Sequence, residues 1–292
     1  GAVIPEPFDG TALDMVSIVI SLEELSQVCG STSLIVATHN LFVAYPIVKF
    51  GSEELKKKYL PKLAFGELLG GFAEPELTNV NLKIDGDNIC ISGESRNIIS
   101  GITQGLYLIF VNQKSPGPEL TAVVIEGTTS GIKIKGRTET SGMRASGMCD
   151  VIFENVVVPK TNIVGKVGDG QMIYEAISER AKIGLGAIAL GIAQVSVDAA
   201  IKYAKTRIQF SEPIINFGMV RSKIAEMATR AQAAKLLVYD AAFRCDQNKT
   251  FTNESAMAKY FTTKIAVQNT TDAIQLHGGY GYTKDFPTER YF

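Results

Sequence analysis

Leu82-Lys83-Ile84-Asp85-Gly86-Asp87-Asn88-Ile89-Cys90-Ile91 decides how this chain is read. Leu82, Ile84, Ile89 and Ile91 flank Asp85-Gly86-Asp87, the pattern of two half-buried strands joined by a tight turn. Further β-rich runs follow at 106–111, 120–125, 132–135 and 151–158, punctuated by Gly and Ser. No helix-period segment intervenes, so residues 69–165 are expected to form an antiparallel sheet or small barrel.

Outward from that sheet the pattern turns helical on both sides. Toward the N-terminus, Leu13, Val16, Val19, Ile20, Leu22 and Leu25 recur near helical spacing. Pro46 is expected to interrupt a second apolar stretch, 34–48. Ser52 is placed to cap a short helix through Leu60, with Glu53 and Glu54 in its first turn and lysines later, as the helix dipole favours. Pro61 follows it. Toward the C-terminus, three helices are expected over 176–207, 219–247 and 253–276. The first carries Gly184, Gly186, Ala187, Ala189, Gly191 and Ala193, small residues that let helices approach closely. The expected organisation is therefore α+β: a helical domain at 1–68, a β-domain at 69–165 and a helical domain at 166–292.

Composition excludes several function classes. The 292 residues carry a formal charge of −1, with 46% apolar and 20% charged residues. That is the profile of a globular protein with ample core material. The densest basic cluster, Lys56-Lys57-Lys58, directly follows Glu53-Glu54-Leu55, which argues against a nucleic-acid partner. The longest uninterrupted apolar run, 183–193, is 11 residues, short of the roughly 20 needed to span a bilayer. The start lacks a basic-then-apolar leader, and it lacks Met, as expected of a processed or truncated chain. Cys29, Cys90, Cys149 and Cys245 show no paired spacing, so reduced thiols and a cytoplasmic setting are expected. Two histidines, His39 and His277, exclude a His-rich metal site.

The familiar catalytic signatures are missing: no GxSxG elbow, no Walker A, no GxGxxG after a strand. Other motifs are present, in order. Gly51-Ser52-Glu53-Glu54-Leu55-Lys56-Lys57-Lys58-Tyr59-Leu60-Pro61-Lys62-Leu63 precedes the sheet, and Ala73-Glu74-Pro75-Glu76 opens it. Phe153-Glu154-Asn155-Val156-Val157-Val158-Pro159 closes it. Ala204-Lys205-Thr206-Arg207-Ile208-Gln209-Phe210 and Gln275-Leu276-His277-Gly278-Gly279-Tyr280-Gly281-Tyr282 lie in the helical part. On these five segments the chain resembles the acyl-CoA dehydrogenase family across nearly its whole length.

The resemblance implies an N-terminal helical domain, a middle β-barrel and a C-terminal four-helix bundle, both helical domains incomplete here. It implies FAD, a homotetramer or homodimer, and α,β-dehydrogenation of an acyl-CoA or the reverse enoyl-CoA reduction. It also implies electron exchange with an electron-transfer flavoprotein and, in a eukaryote, a mitochondrial matrix location. Flavin contacts are implied at Phe72, Ala73, Asn97, Ile99, Arg207, Phe210, Gln275, Gly278 and Gly279, and substrate contacts at Asn79 and Arg180.

Residue chemistry agrees in part. Arg207 suits a pyrophosphate as a bidentate donor, although a solvated arginine at a helix end reads the same way. Gly278, Gly279 and Gly281 permit close backbone approach or simply end a helix. Phe210 is an adenine contact or a core residue, and Gln275 a ligand contact or a cap. Most family members carry the catalytic base in a Tyr-Glu-Gly-Thr segment beyond the position of Phe292. A minority place it on the first bundle helix, just before an arginine, where Glu179-Arg180 stands. The base is therefore Glu179 or lies beyond Phe292.

Departures from the family pattern cluster near the implied flavin. Its Thr-Glu-Pro-Glu-Ala-Gly-Ser-Asp is Ala73-Glu74-Pro75-Glu76-Leu77-Thr78-Asn79-Val80 here, and its aromatic-x-Thr is Asn97-Ile98-Ile99. Arg144-Ala145-Ser146 keeps an Arg-x-Ser, but Met148 replaces the following Thr. Backbone amides at Asn97 to Ile99 remain possible flavin donors. The replacements also raise a second reading, a non-catalytic structural subunit of a heteromeric complex. A third, an acyl-CoA oxidase, would pass electrons to oxygen.

Overall fold

The computed structural model describes residues 1–113 and 119–292. Helices α1 (Met15–Val28), α2 (Gly30–Ala37), α3 (Tyr45–Phe50) and α4 (Glu53–Ala64) come first, and a wider π-helical segment, Thr38–Ala44, joins α2 to α3. The sheet follows: β1 (Gly70–Phe72), β2 (Thr78–Asp85), β3 (Asn88–Ile98), β4 (Leu106–Gln113), β5 (Glu119–Glu126), β6 (Ile132–Arg137), β7 (Cys149–Pro159) and β8 (Ile163–Val164). Then come α5 (Gly170–Thr206), a short hairpin of β9 (Ile208–Gln209) and β10 (Glu212–Pro213), α6 (Gly218–Asp246), α7 (Thr252–His277) and α8 (Thr288–Tyr291).

The chain forms two compact units. One holds Gly1–Asp14 and Leu34–Ala181, the other Met15–Ser33 and Lys182–Phe292. In the first, the eight strands form one sheet in the order β6-β7-β3-β2-β4-β5-β8, with β1 pairing parallel to β4. The expected hairpin is there: β2 and β3 pair antiparallel from Thr78↔Ser95 to Asp85↔Asn88, turning through Gly86-Asp87. Leu106 to Val111 on β4 are all buried, because the strand is covered on both faces. Tyr107, Ile109 and Val111 join the main sheet core with Ile89, Ile91, Val123, Ile125, Val151 and Phe153. On β4's other face Phe110 meets Phe72 edge-on at 6.1 Å, and Phe72 meets Phe42 at 4.9 Å.

Two prolines behave differently from expectation. Pro46 does not interrupt its helix. It enters at the first turn of α3, and upstream the backbone widens so that Tyr45 N–H reaches the Asn40 carbonyl, five residues back. The wider turns make room for a ring that would clash with the carbonyl four residues back in a regular helix. Ser52 caps α4 as expected, its Oγ accepting from Leu55 N–H at 3.1 Å. That helix then carries Pro61 inside it and ends at Ala64. Lys57, whose carbonyl loses its donor, faces solvent, where water can replace it. With the helix continuous past Pro46, the run Gly30–Phe50 is, like Gly170–Thr206, long and apolar enough to cross a membrane by length and composition alone; 67% of each apolar window is buried within the protein.

His39 shows how the first unit settles its polar groups. Gly70 N–H donates to its Nδ1 at 3.1 Å, so Nε2 carries the proton and donates to the Leu63 carbonyl at 3.0 Å. Burial, with the N-terminal charge, lowers its pKa from 6.5 to about 4, so the ring is neutral.

The second unit packs α5, α6 and α7 through small residues. Ala189, Leu190, Ala193, Ala234, Ile265 and Ala266 form one cluster, and Val197, Ala200, Met227, Ala231 and Ala273 the next. Helix α1 joins them although it lies far away in sequence. A Cβ at Gly191 would sit 2.1 Å from the Glu23 carbonyl oxygen, so only glycine allows this approach. The buried Glu23 carboxylate accepts from Tyr239 Oη at 2.6 Å and Lys235 Nζ at 3.0 Å. Asp246 caps the start of α1, accepting from Met15 N–H at 2.7 Å and Val16 N–H at 3.0 Å.

Candidate functional site

In the helical unit a cavity of about 440 Å³ is lined by Tyr203, Arg207, Ile214, Gln275, His277, Gly278, Gly279 and Tyr280, among others. Four of the nine residues expected to hold the cofactor, Arg207, Gln275, Gly278 and Gly279, meet there. Arg207 follows the last residue of α5, and its guanidinium lies 5.4 Å from the Tyr280 ring centre. Among the described residues no carboxylate pairs with it. Such a half-buried cation is suited to an anionic ligand.

Gly278 ends α7 at φ +58, a conformation that L side chains rarely adopt. A Cβ at Gly278 or Gly279 would meet nothing within 4 Å, so the backbone lies open to whatever occupies the cavity.

The cavity's aromatic wall was not legible in the motif. His277 stacks on Tyr203 at 4.2 Å, and Phe286 meets both rings edge-on at 5.3 Å. His277 Nδ1–H donates to the Ala273 carbonyl at 2.8 Å. Burial holds the imidazole below its ordinary pKa, so Nε2 is left unprotonated as an acceptor. A cation, a neutral acceptor, an amide side chain and aromatic faces together suit a ligand that joins phosphate to a flat heterocycle.

The residues expected around β1 and β3 gather in the sheet unit, but their polar groups are engaged. Phe72 and Ile99 exchange two backbone hydrogen bonds, at 3.1 and 2.9 Å. Ala73 N–H donates to the Leu108 carbonyl at 3.1 Å, and Ser100 N–H to the Ser146 carbonyl at 3.1 Å. Asn97, at φ 53, donates its N–H to Asp150 Oδ1 at 2.9 Å. The Asn97 and Ile99 amides considered as flavin donors thus already have acceptors in the protein. Phe72 and Ala73 are fully buried. Ser100 Oγ is buried and without a partner among the described residues.

Asn79 is exposed on β2, opposite Glu94. Glu179 and Arg180 are half-buried on α5, and the Arg180 guanidinium lies 4.2 Å above the Tyr45 ring centre. Phe210 stands apart: it tips the β9–β10 hairpin at φ 51, is 90% exposed, and touches the Phe217 ring edge-on at 6.2 Å. It does not line the cavity. Among the described residues no group of His, Cys, Asp and Glu is arranged to hold a metal.

One pair escaped the sequence reading. Tyr174 Oη donates to Glu74 Oε2 at 2.9 Å, across 100 positions of sequence. Burial raises the Glu74 pKa, and the Tyr174 hydroxyl is raised by burial and by that carboxylate.

Residues 1–67 match the N-terminal domain of acyl-CoA dehydrogenases and residues 169–292 their C-terminal domain. An acyl-CoA dehydrogenase of Bacillus subtilis (strain 168) is 36% identical over 99% of this chain and 79% of its own length. The chain belongs to the acyl-CoA dehydrogenase family. The family likeness extends to an acryloyl-CoA reductase (NADH) of Anaerotignum propionicum, 36% identical over 100% of this chain and 77% of that protein. In three dimensions, butyryl-CoA dehydrogenase from Megasphaera elsdenii superimposes with a TM-score of 0.96 at 31% identity, covering 100% of this chain and 80% of that one.

Proposed function

We propose that this protein is an FAD-dependent oxidoreductase that interconverts a saturated acyl-CoA and its α,β-unsaturated counterpart. The observation that carries the reading is the open cavity around Arg207, Gln275, Gly278 and Gly279 in a chain that matches acyl-CoA dehydrogenases along nearly its whole length. Its donor set fits the adenosine and pyrophosphate half of FAD: Arg207 for the phosphates, the glycine backbone for close approach, the aromatic wall and His277 for the base. Phe72, Ala73, Asn97 and Ile99 are proposed on the flavin side through packing rather than through their amides, and Phe210 through its exposed ring.

Bound FAD supplies a two-electron acceptor for hydride from the β-carbon. The carboxylate of Glu179 takes the α-proton, so that loss of both hydrogens leaves a Cα–Cβ double bond; in the reductive direction Glu179 returns the proton. Asn79 and Arg180 are proposed to orient the thioester and its CoA. Relatives are named both as dehydrogenases and as reductases, so the redox partner sets the direction. An electron-transfer flavoprotein is the proposed partner, and a homotetramer or homodimer the proposed assembly.

The test is the visible absorption of purified protein before and after anaerobic addition of mixed acyl-CoAs. A yellow protein that bleaches upholds the reading, with loss of bleaching in Glu179→Gln assigning the base. A colourless protein that stays so with added FAD sinks it and favours a non-catalytic subunit.

A further inference from the structure

We propose that Tyr174 is a positioning residue for Glu179, fixing the start of helix α5 to the sheet through its hydrogen bond to Glu74. The inference rests on the proposed role of Glu179. Its grounds are independent of that role and lie within one compact unit, which includes α5 as far as Ala181.

Glu74 is firmly rooted. Its carbonyl accepts from Leu77 N–H at 3.1 Å and from Thr78 Oγ1 at 2.8 Å, and Thr78 Oγ1 also meets Ser95 Oγ of the neighbouring strand at 2.9 Å. The backbone that carries this carboxylate is thus fixed to the sheet. Tyr174 reaches it with a charge-assisted bond of 2.9 Å, sheltered enough from water to raise the pKa of both groups. The Tyr174 ring stacks edge-on against Phe110 at 5.6 Å, completing an aromatic series through Phe72 to Phe42.

Helix α5 has three kinds of fastening along this stretch. Ile173, Ile177 and Ala181 form a buried stripe every fourth residue, which seats the helix but allows it to slide or roll. Tyr174 adds a directional bond about 7.5 Å before Glu179 along the axis. One residue beyond Glu179, Arg180 is held over the Tyr45 ring at 4.2 Å. A hydroxyl–carboxylate bond has a narrow angular optimum that apolar packing lacks. Tyr174 and Arg180 therefore set the axial position and the roll of the helix where Glu179 sits between them.

Tyr174→Phe removes only the hydroxyl and keeps the ring against Phe110. In the FAD-loaded protein, kcat is expected to fall about 10-fold to 100-fold with KM within about twofold, because a small misplacement of a reacting group is costly. Amide hydrogen exchange in residues 170–180 is expected to quicken about 10-fold as the helix start loosens. Glu74→Ala should reproduce both effects. Glu74→Gln, whose amide oxygen still accepts the bond, should restore both. The proposal is overturned if exchange in Tyr174→Phe stays at the wild-type rate, or if kcat and flavin content fall while KM rises, the mark of general structural damage. If wild-type protein shows no bleaching with acyl-CoAs, the functional reading fails, yet exchange still reports whether Tyr174 fixes α5. Wild-type bleaching that Glu179→Gln leaves intact removes the role of Glu179 and overturns the proposal with it.

Discussion

Around Phe72, Ala73, Asn97 and Ile99 the backbone amides donate to acceptors within the protein, and Phe72 and Ala73 are sealed in the core. Around Arg207, Gln275, Gly278 and Gly279 the opposite holds: a cation with no carboxylate partner among the described residues and two glycines face an open cavity. One set of residues is satisfied by folding, while the other stays open. The difference teaches where cofactor affinity should reside, since a buried polar group already satisfied gains little by changing partners.

The largest effect tests how completely the sheet unit is finished. The folded-state pKa of His39, about 4, lies below its ordinary 6.5. The unfolded chain therefore binds the extra proton more readily. Stability from this residue is full above pH 6.5 and is lost as pH falls toward 4. The loss amounts to ~3 kcal/mol. Urea denaturation at neutral and mildly acidic pH should show the decline, and His39→Gln should flatten it. A remaining slope is expected from His277, which is also held below its ordinary value. A wild-type profile flat across this range would contradict the neutral, doubly bonded ring.

On the open side, Arg207→Ala should weaken FAD binding about 100-fold, the cost of removing a charged donor from an anion. Fluorescence titration of the apoprotein measures it; unchanged affinity would dissolve the contrast between the two regions. A smaller effect is expected from Ile99→Ala, whose backbone bonds to Phe72 survive the substitution. FAD affinity should change by about threefold or less, as for loss of one modest apolar contact. A larger loss would mean that the sheet region carries affinity after all. Smallest is Phe210→Ser. Its ring is 90% exposed, so unfolding free energy should move by no more than ~0.5 kcal/mol, while FAD affinity should fall with loss of the proposed ring contact; unchanged affinity would take this hairpin out of the binding site.

Much of this was legible from sequence because it is local. Asp85-Gly86-Asp87 announces its hairpin, and Ser52 its cap, within a few residues. Gln275 to Gly281 keep their spacing, and Arg207 stands at a helix end, so the residues around this cavity could be read as a motif. The remainder depends on contacts that no short window contains. Pro46 and Pro61 read as breaks because propensity treats a proline by itself, whereas the widened turn before Pro46 and the solvent at Lys57 relieve each one. Whether the Asn97 amide is available depends on Asp150, 53 positions away. Tyr174 lies before the helix expected from 176, and nothing in its own stretch points to Glu74, 100 positions earlier.

The capping of α1 by Asp246 has a consequence for biosynthesis. The donors at Met15 and Val16 wait for an acceptor that lies 231 and 230 residues later. At ordinary translation speeds that is a delay of roughly 10 to 50 s. Throughout it the first helix has left the ribosome with its apolar stripe uncovered, and the whole sheet is made before its partners arrive. Helix α1 is thus made long before the residue that caps it, and a pause in translation ahead of α6 would lengthen its exposure more than a pause anywhere after it.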